Sequence, residues 1–214
     1  MNKEMIKRTE HFVQRTLGND STGHDWYHIK RVRSNALYIA ERENKGDHFI
    51  IEMAALLHDI PDEKLNPSKE AGERKLAEFL ELIQLDQRRS NEIAGIISSI
   101  SFKGGNNTKA MSIEAEIVQD ADRLDAIGAI GIARTFAYGG SKGQALYDPN
   151  IAVRDMMTED EYRNGKSTSV HHFYEKLLKL KDKLNTNTAK KMAEERHQWM
   201  EKFLEQFFYE WNGQ

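Results

Sequence analysis

The sequence predicts an all-α protein, and three observations support this fold class. Apolar residues recur every three or four positions along most of the 214-residue chain, which is the period of an amphipathic helix. Only 3 prolines and 14 glycines occur, too few for the many turns of a β-sandwich or barrel. Charged residues make up 30% of the chain and the mean hydropathy is −0.71, which is typical of helices with charged outer faces.

The first three predicted helices have clear ends. They run from about Lys3 to Leu17, Asp25 to Glu43 and His48 to Asp59. The first ends at Gly18, and the second carries an apolar stripe at steps of three and four. The third is apolar on every face, as a buried helix is, and it ends because Pro61 disfavours the α conformation at Ile60. His58 and Asp59 are therefore predicted in the last turn of a core helix.

The next three predicted helices begin at residues that suit a helix N-terminus. They run from about Asn66 to Leu85, Asp86 to Ile100 and Ile113 to Ala137. Asn66 precedes a proline in the order of an N-cap and a first helical residue, and Asp86 and Ser112 are good N-cap types. Gly128 and Gly131 inside the last helix indicate close backbone packing or a break.

The remainder is predicted as a loop region and two helices. Residues 142–166 lack periodicity, and an irregular stretch of this length is often functional, so a lid is one hypothesis. The two helices run from about Ser169 to Leu184 and from Asn187 to Trp211. With no repeat or linker, we expect one domain over 1–214, with a core at about 22–140 and the C-terminal helices, 167–211, packing on it or covering it.

Composition excludes several functions. There is no cysteine, which rules out disulfides, thiolate metal sites and a cysteine nucleophile. The net charge of −3 favours no stable nucleic-acid partner, and no apolar run approaches the roughly 18 residues of a membrane span. Without the apolar core of a signal peptide near the N-terminus, a cytoplasmic location is expected. The oligomeric state cannot be read from the apolar stripes, since a single core explains them.

Buried acids and histidines indicate chemistry. Asp122 lies in an apolar helix, and the His58-Asp59 pair ends another. A buried carboxylate needs a cation, hydrogen bonds or a proton. Histidines at positions 24 and 28 could complete one metal centre with these groups. Each of these residues also has an interpretation without a metal. Asp122 could form an ion pair with Arg123 or Arg134, and Asp120 could form an ion pair or lie on a solvated face. The adjacent histidines at 171–172 could lie on the surface.

Taken together, these motifs resemble those of the HD-domain metal-dependent phosphohydrolases, in particular the small bacterial stand-alone HD hydrolases. The similarity lies in His24–Val32, in Leu56–Ile60 with its His-Asp dipeptide, in Gln119–Gly131 with its Ala-Asp-Arg-Leu-Asp run, and in His172–Leu178. The resemblance covers nearly the whole chain. It implies an all-α, HD-type helical bundle with the metal site between helices.

The resemblance also implies the site residues. The metal ligands would be His28, His58, Asp59 and Asp122. This mixed nitrogen and oxygen set suits Mn²⁺, with Mg²⁺, Fe²⁺, Co²⁺ or Ni²⁺ as alternatives, and the number of ions stays open. His24 would lie at the mouth and touch substrate. Arg31 would hold a phosphate, the alternative for Arg31 being a salt bridge to an acidic neighbour. Asp62 or Glu63 would take or position a water proton, the alternative for this pair being simple solvation at a helix exit.

The implied activity is hydrolysis of a nucleotide. The reaction expected first is conversion of a nucleoside triphosphate to its monophosphate and pyrophosphate, through attack by a metal-activated hydroxide. The alternatives are a nucleotidase or phosphodiesterase with the same metal centre, and a non-catalytic sensor that binds a nucleotide. The expected partner is therefore a small nucleotide.

Overall fold

The computed structural model describes residues 2–18, 25–63, 65–100, 110–155, 157–158, 161 and 165–214. Nine α-helices are defined within these ranges, and no strand occurs in them. The helices are α1 (Asn2–Leu17), α2 (Trp26–Glu43), α3 (His48–Leu57), α4 (Lys69–Leu82), α5 (Gln87–Ile100), α6 (Ile113–Asp125), α7 (Gly128–Ser141), α8 (Ser169–Glu175) and α9 (Asn187–Trp211). The all-α prediction is confirmed.

Helix α3 is the centre of the packing. It contacts α1, α2, α5 and α6, and every residue from Phe49 to Leu57 except Glu52 is buried. Its apolar faces are thus each covered by a neighbour, as the sequence predicted. The α-helix ends at Leu57, so His58 is its C-cap and Asp59 lies in the turn that follows. This turn presents both side chains at the end of the buried helix.

Side-chain caps set the starts of the helices. The carboxylates of Asp25 and Asp86 accept backbone hydrogen bonds at the starts of α2 and α5, and Ser112 caps α6. The predicted start of the fourth helix at Asn66 is wrong, because Ser68 is the N-cap of α4. The amide of Asn66 is used elsewhere, since its Nδ2 donates to the carbonyls of Ile60 and Asp62, each at 2.8 Å.

The predicted helix from Ile113 to Ala137 is two helices. The break falls at Ala126 and Ile127, and α7 begins at Gly128 with a φ of +74°, which a side chain would disfavour. Gly131 permits the close return of the chain, because a Cβ there would lie 2.2 Å from the carbonyl oxygen of Ala126. Both glycine signals therefore mark one sharp turn after Asp125.

The predicted helix from Ser169 to Leu184 is also wrong beyond Glu175. Two 3₁₀ turns follow, Leu177–Lys179 and Lys181–Lys183. Leu177 and Leu180 are buried at a spacing of three, which matches the three-residue period of a 3₁₀ helix. In 142–155, 157–158 and 165–166 the chain forms turns, bends and irregular structure, as predicted, whereas Glu161 has a helical conformation.

Helix α9 has the predicted bounds and packs against α2, α6 and α7. Its start is fixed by Asp120, whose Oδ2 accepts hydrogen bonds from the backbone of Thr186 at 2.7 Å and from its hydroxyl at 2.8 Å. Asp120 is fully buried, so the expectation of a solvated carboxylate is wrong. Among the described residues, no helix has the length and apolar character needed to cross a membrane.

Candidate metal centre

Four side chains from α2, the end of α3 and α6 converge at one point. Nε2 of His28 lies 3.2 Å from Nε2 of His58, 3.4 Å from Oδ2 of Asp59 and 3.6 Å from Oδ1 of Asp122. Nε2 of His58 lies 3.4 Å from Oδ1 of Asp59 and 3.8 Å from Oδ1 of Asp122. The structure thus brings together all four residues that the sequence proposed as ligands, although up to 94 positions separate them.

The hydrogen bonds behind the two imidazoles set their tautomers. Nδ1 of His28 lies 2.7 Å from Oδ2 of Asp125, and Nδ1 of His58 lies 2.9 Å from the carbonyl oxygen of Ala55. Both partners are acceptors, so each Nδ1 carries its proton and donates. When such a ring is neutral, its lone pair is therefore on Nε2, the atom that faces the cluster. This is the arrangement in which histidine binds a metal ion.

The cluster has the chemistry of a cation site. The Nε2 atoms of His28 and His58 lie 3.2 Å apart with two carboxylates beside them, so this point attracts a positive charge, either a proton on Nε2 of His28 or a metal ion in its place. Burial opposes a charge on His28, but hydrogen bonds to Asp125 and Asp59 outweigh it and raise the pKa of His28 to about 9. His28, His58 and Asp59 fit a divalent ion, because their ligand atoms all lie within 4.8 Å of one another, and Oδ1 of Asp122 lies within 3.8 Å of both histidines at the edge of this group.

The cluster is buried on one side and open on the other. The side chains of His28, His58 and Asp59 are 8% exposed or less, whereas that of Asp122 is 33% exposed. Asp122 does not pair with Arg134, which was one alternative, because Arg134 donates instead to Asp125. Access to the four ligand atoms is therefore from the side of Asp122.

Asp125 is a functional residue whose role sequence reasoning missed. Its carboxylate accepts from His28, from Arg31 Nε at 2.6 Å and from Arg134 Nη1 at 2.6 Å. Burial alone would raise its pKa, but the bonds from His28 and Arg31 hold it well below the usual range. Asp125 stays ionised and orients His28. The sequence did contain a signal for this role, because Asp125 lies one turn after Asp122 in the same apolar helix.

The other predicted site residues lie around this core. Arg31 contacts Asp125 with Nε and Nη2, and 35% of its side chain is exposed. Asp62 and Glu63 follow the ligand turn, with Asp62 half-buried and Glu63 exposed. His24 lies outside the described residues. His171, expected on the surface, is instead 3% exposed and stacks edge-on against Tyr147.

Comparison with known proteins gives a consistent result. The HD domain family model matches residues 25–127, which include all four converging side chains and Asp125. The uncharacterised protein YpgQ of Bacillus subtilis is 41% identical over 197 residues, covering 91% of this chain and 88% of YpgQ.

Solved structures agree over the full length. An HD-superfamily hydrolase from Bacillus thuringiensis is 51% identical with a TM-score of 0.78, and a Lactobacillus plantarum protein is 36% identical with a TM-score of 0.91; both matches cover 100% of either chain. The crystal structure of YpgQ in complex with ADP has a TM-score of 0.77 at 38% identity, over 97% of this chain and 98% of YpgQ. The helical fold, the converging His and Asp residues and these matches show that the chain belongs to the HD domain family of metal-dependent hydrolases.

Proposed function

We propose that this protein hydrolyses nucleoside triphosphates to monophosphates and pyrophosphate with a divalent metal ion. The observation that carries the proposal is the convergence of four side chains, two histidines and two aspartates, whose contacts to a histidine Nε2 are between 3.2 and 3.8 Å. The substrate class is supported by the relative YpgQ, which has been crystallised with ADP. The proposal thus rests on the geometry of the site in this chain and on the nucleotide bound by a relative.

His28, His58, Asp59 and Asp122 would hold the ion. When bound, a divalent ion lowers the pKa of a water molecule and polarises a phosphoryl oxygen. Mn²⁺ is the ion we propose, because two imidazoles and two carboxylates form a borderline-hard set that does not close the coordination sphere. Asp125 orients His28 by accepting a hydrogen bond from its Nδ1–H group. Arg31 and Arg134 also donate to this carboxylate and keep it ionised.

The remaining roles belong to residues near the cluster. Asp62 and Glu63 follow the ligand turn closely, and we propose that one of them takes the proton of the attacking water. Arg31 is proposed to contact a substrate phosphate with the part of its guanidinium that is exposed while it remains paired with Asp125. His24 is proposed to contact substrate at the mouth of the site.

The proposed reaction is tested with a panel of nucleoside mono-, di- and triphosphates in the presence of Mn²⁺, by measuring pyrophosphate and orthophosphate separately. We expect pyrophosphate and a monophosphate from triphosphates. Orthophosphate released from monophosphates would instead identify a nucleotidase. A protein that binds Mn²⁺ but turns over no nucleotide or phosphodiester would identify a sensor. Either of these results would overturn the proposal.

The site assignment is tested with Asp59→Asn and a matched control. Asp59→Asn removes one ligand charge in the buried cluster, so we expect loss of both bound Mn²⁺ and turnover. Asp155→Asn makes the same chemical change at a side chain that is 92% exposed and should leave both unchanged. Full metal content and activity in Asp59→Asn would show that the ion is held elsewhere.

A further inference from the structure

A cavity of about 540 Å³ lies behind the metal centre, between α2, α9 and the turn that joins α6 to α7. Its volume is within the range of about 300–1,000 Å³ typical of small-molecule sites. None of the four proposed metal ligands lines it, but Asp125 does. Because His28 contacts Asp125 through Nδ1 and the metal cluster through Nε2, the His28 ring and the Asp125 carboxylate separate the cavity from the cluster.

One part of the cavity wall is cationic. Lys30, Arg31 and Arg196 line it, and Lys202 lies next to it with Nζ 5.6 Å from the ring centre of Trp199. Arg31 and Asp125 are paired with each other, which leaves Lys30 and Arg196 in the wall against one further carboxylate, Glu195 at the exposed rim. The balance of charge favours an anion.

Arg196 is held in place by the fold. Its Nη1 donates to the carbonyl oxygen of Leu124, and its stem packs against the start of α7. A Cβ at Gly128 would lie 2.9 Å from the Cβ of Arg196, so the glycine admits the arginine stem. A guanidinium with a fixed stem loses less conformational freedom when it binds an anion.

The other part of the wall is apolar and aromatic. Trp199, Ile127, Ile130 and Met192 line it, and Trp199 and Ile130 are 57% and 44% exposed. An indole at the rim of a cavity offers an apolar surface against which a flat ring can pack. The cationic and apolar parts lie in the same cavity, so a ligand that satisfies both carries a negative charge and a planar ring.

We propose that this cavity binds a phosphorylated small molecule with a planar ring, and that nucleoside monophosphates are the ligand class. The phosphate would contact Lys30 and Arg196, and the base would pack against Trp199. Arg31 lines the cavity and also bonds to Asp125, which orients His28. The site is therefore one carboxylate away from the metal centre. Arg31 is also the residue proposed to contact a substrate phosphate at the metal centre, so the two proposals share this one residue. The cavity contains no proposed metal ligand, and its phosphate contacts are assigned to Lys30 and Arg196 rather than to Arg31.

Binding is tested by calorimetric titration of the protein in a chelator with AMP, adenosine and inorganic phosphate. We expect saturable binding of AMP that is at least about tenfold tighter than that of either fragment, because each fragment uses one part of the wall. Adenosine or phosphate binding as tightly as AMP would contradict the two-part site. No saturable binding of AMP would overturn the proposal altogether.

Variants locate the bound nucleotide. Lys30→Glu should weaken AMP binding about tenfold or more, because it replaces a charge-assisted contact with repulsion. Trp199→Ala should also weaken it, whereas Trp199→Phe, which keeps a ring, should retain most of the affinity. Lys190→Glu makes the same charge change on the exposed face of α9 outside the cavity and should have no effect.

The Asp59→Asn variant separates this site from the metal centre. It should bind AMP as the unmodified protein does, even though it is expected to lose the metal ion. If AMP binding is lost in Asp59→Asn and unchanged in Lys30→Glu, the nucleotide binds at the metal centre and the inference is wrong. The variants at Lys30, Trp199 and Lys190 should show unchanged thermal unfolding without ligand, since these three side chains are exposed.

Discussion

Asp125 joins three residues that are far apart in the chain, and its side chain is only 2% exposed. Two arginines and one histidine donate to it, so its negative charge is fully compensated inside the protein. Without that carboxylate, the Nδ1 proton of His28 would have no charged acceptor, and the ring would be free to present the other nitrogen to the cluster. The orientation of one proposed ligand thus depends on a residue outside the proposed ligand set.

We expect Asp125→Asn to lower metal affinity about 10- to 100-fold, which is typical for loss of a residue that supports a ligating histidine. A titration against a competing chelator measures this. The control is Asp120→Asn, a second buried carboxylate on α6, which caps α9 and does not contact the cluster. It should lower stability while leaving metal affinity unchanged, and equal losses of affinity in the two variants would contradict the role of Asp125.

At the scale of elements, the turn that carries the ligands is held from one side by α4. A Cβ at Gly72 would lie 2.5 Å from the carbonyl oxygen of Pro61, so α4 approaches this turn as closely as a glycine permits. The amide of Asn66 adds two hydrogen bonds to the same turn, at Ile60 and Asp62. The position of Asp62, a candidate for proton transfer, therefore depends on the packing of α4.

We expect Gly72→Ala to destabilise the protein by about 1–3 kcal/mol, as overpacking in a tight contact does, and to lower kcat more than metal content. Gly95→Ala is the matched control, because no atom lies within 4 Å of the added Cβ in the middle of α5. It should stabilise the protein by about 0.5–1 kcal/mol. Urea unfolding measures both changes. Loss of stability in Gly95→Ala, or none in Gly72→Ala, would contradict this packing.

The segment after α7 is attached to α8 by an ion pair. Glu175 has a side chain that is 1% exposed and accepts from Arg154 Nε at 2.8 Å and from Ser167 Oγ at 2.9 Å. Burial raises the pKa of Glu175, but the bonds from Arg154 and Ser167 outweigh it and leave the pKa below the ordinary value of 4.5. A carboxyl with a lowered pKa stabilises the fold above its ordinary pKa, and this contribution is lost as the pH falls through the lowered value.

Glu175→Gln should therefore lower the free energy of unfolding by about 2–3 kcal/mol near neutral pH. This is somewhat less than the loss expected for a fully buried ion pair, because the side chain of Arg154 is 22% exposed. The difference between the variant and the unmodified protein should begin to shrink below pH 4.5, where the carboxyl of the unfolded chain takes up a proton. It should disappear once the pH has fallen through the lowered pKa, where Glu175 in the folded protein becomes protonated as well. Denaturant unfolding across this pH range measures it. A difference that stays constant with pH would contradict the charge effect.

For the whole molecule, the metal centre joins three helices of the core. His28 is on α2, His58 and Asp59 follow α3, and Asp122 is on α6, and these helices pack against one another. An ion held by all four residues is bound by the folded state and not by the unfolded chain. Metal binding should therefore contribute directly to the stability of the core.

We expect removal of the ion by a chelator to lower Tm by several degrees, since a ligand at about 100 times its Kd stabilises the folded state by about 2.7 kcal/mol. For a protein of this size, each kcal/mol of stability corresponds to a change in Tm of about 2–4 °C. Differential scanning calorimetry with and without Mn²⁺ measures the shift. Asp59→Asn should show none, and an equal shift in that variant would mean that the ion acts at another site.

The sequence by itself determined the features that depend on neighbouring residues. The all-α class, the bounds of α1, α2 and α9, and the buried character of α3 follow from periodicity and from caps such as Asp25 and Ser112. These signals act within one or two turns, so they can be read along the chain. The four ligand candidates also came from the sequence, through a family resemblance and the cost of burying a charge.

Only the tertiary structure decided how distant groups are paired. Arg31 and Asp125, which form an ion pair, are 94 positions apart. Asp120 accepts hydrogen bonds from Asn185 and Thr186 at the start of α9, which are 65 and 66 positions away in the chain. The split after Asp125 and the 3₁₀ turns after α8 likewise depend on what packs against them, at Arg196 and at buried leucines. The partner in an ion pair or a close packing contact is the residue that the fold brings nearby, wherever that residue lies in the chain. Local periodicity contains no information about which partner that is, and this is why the cavity behind the metal centre became visible only in three dimensions.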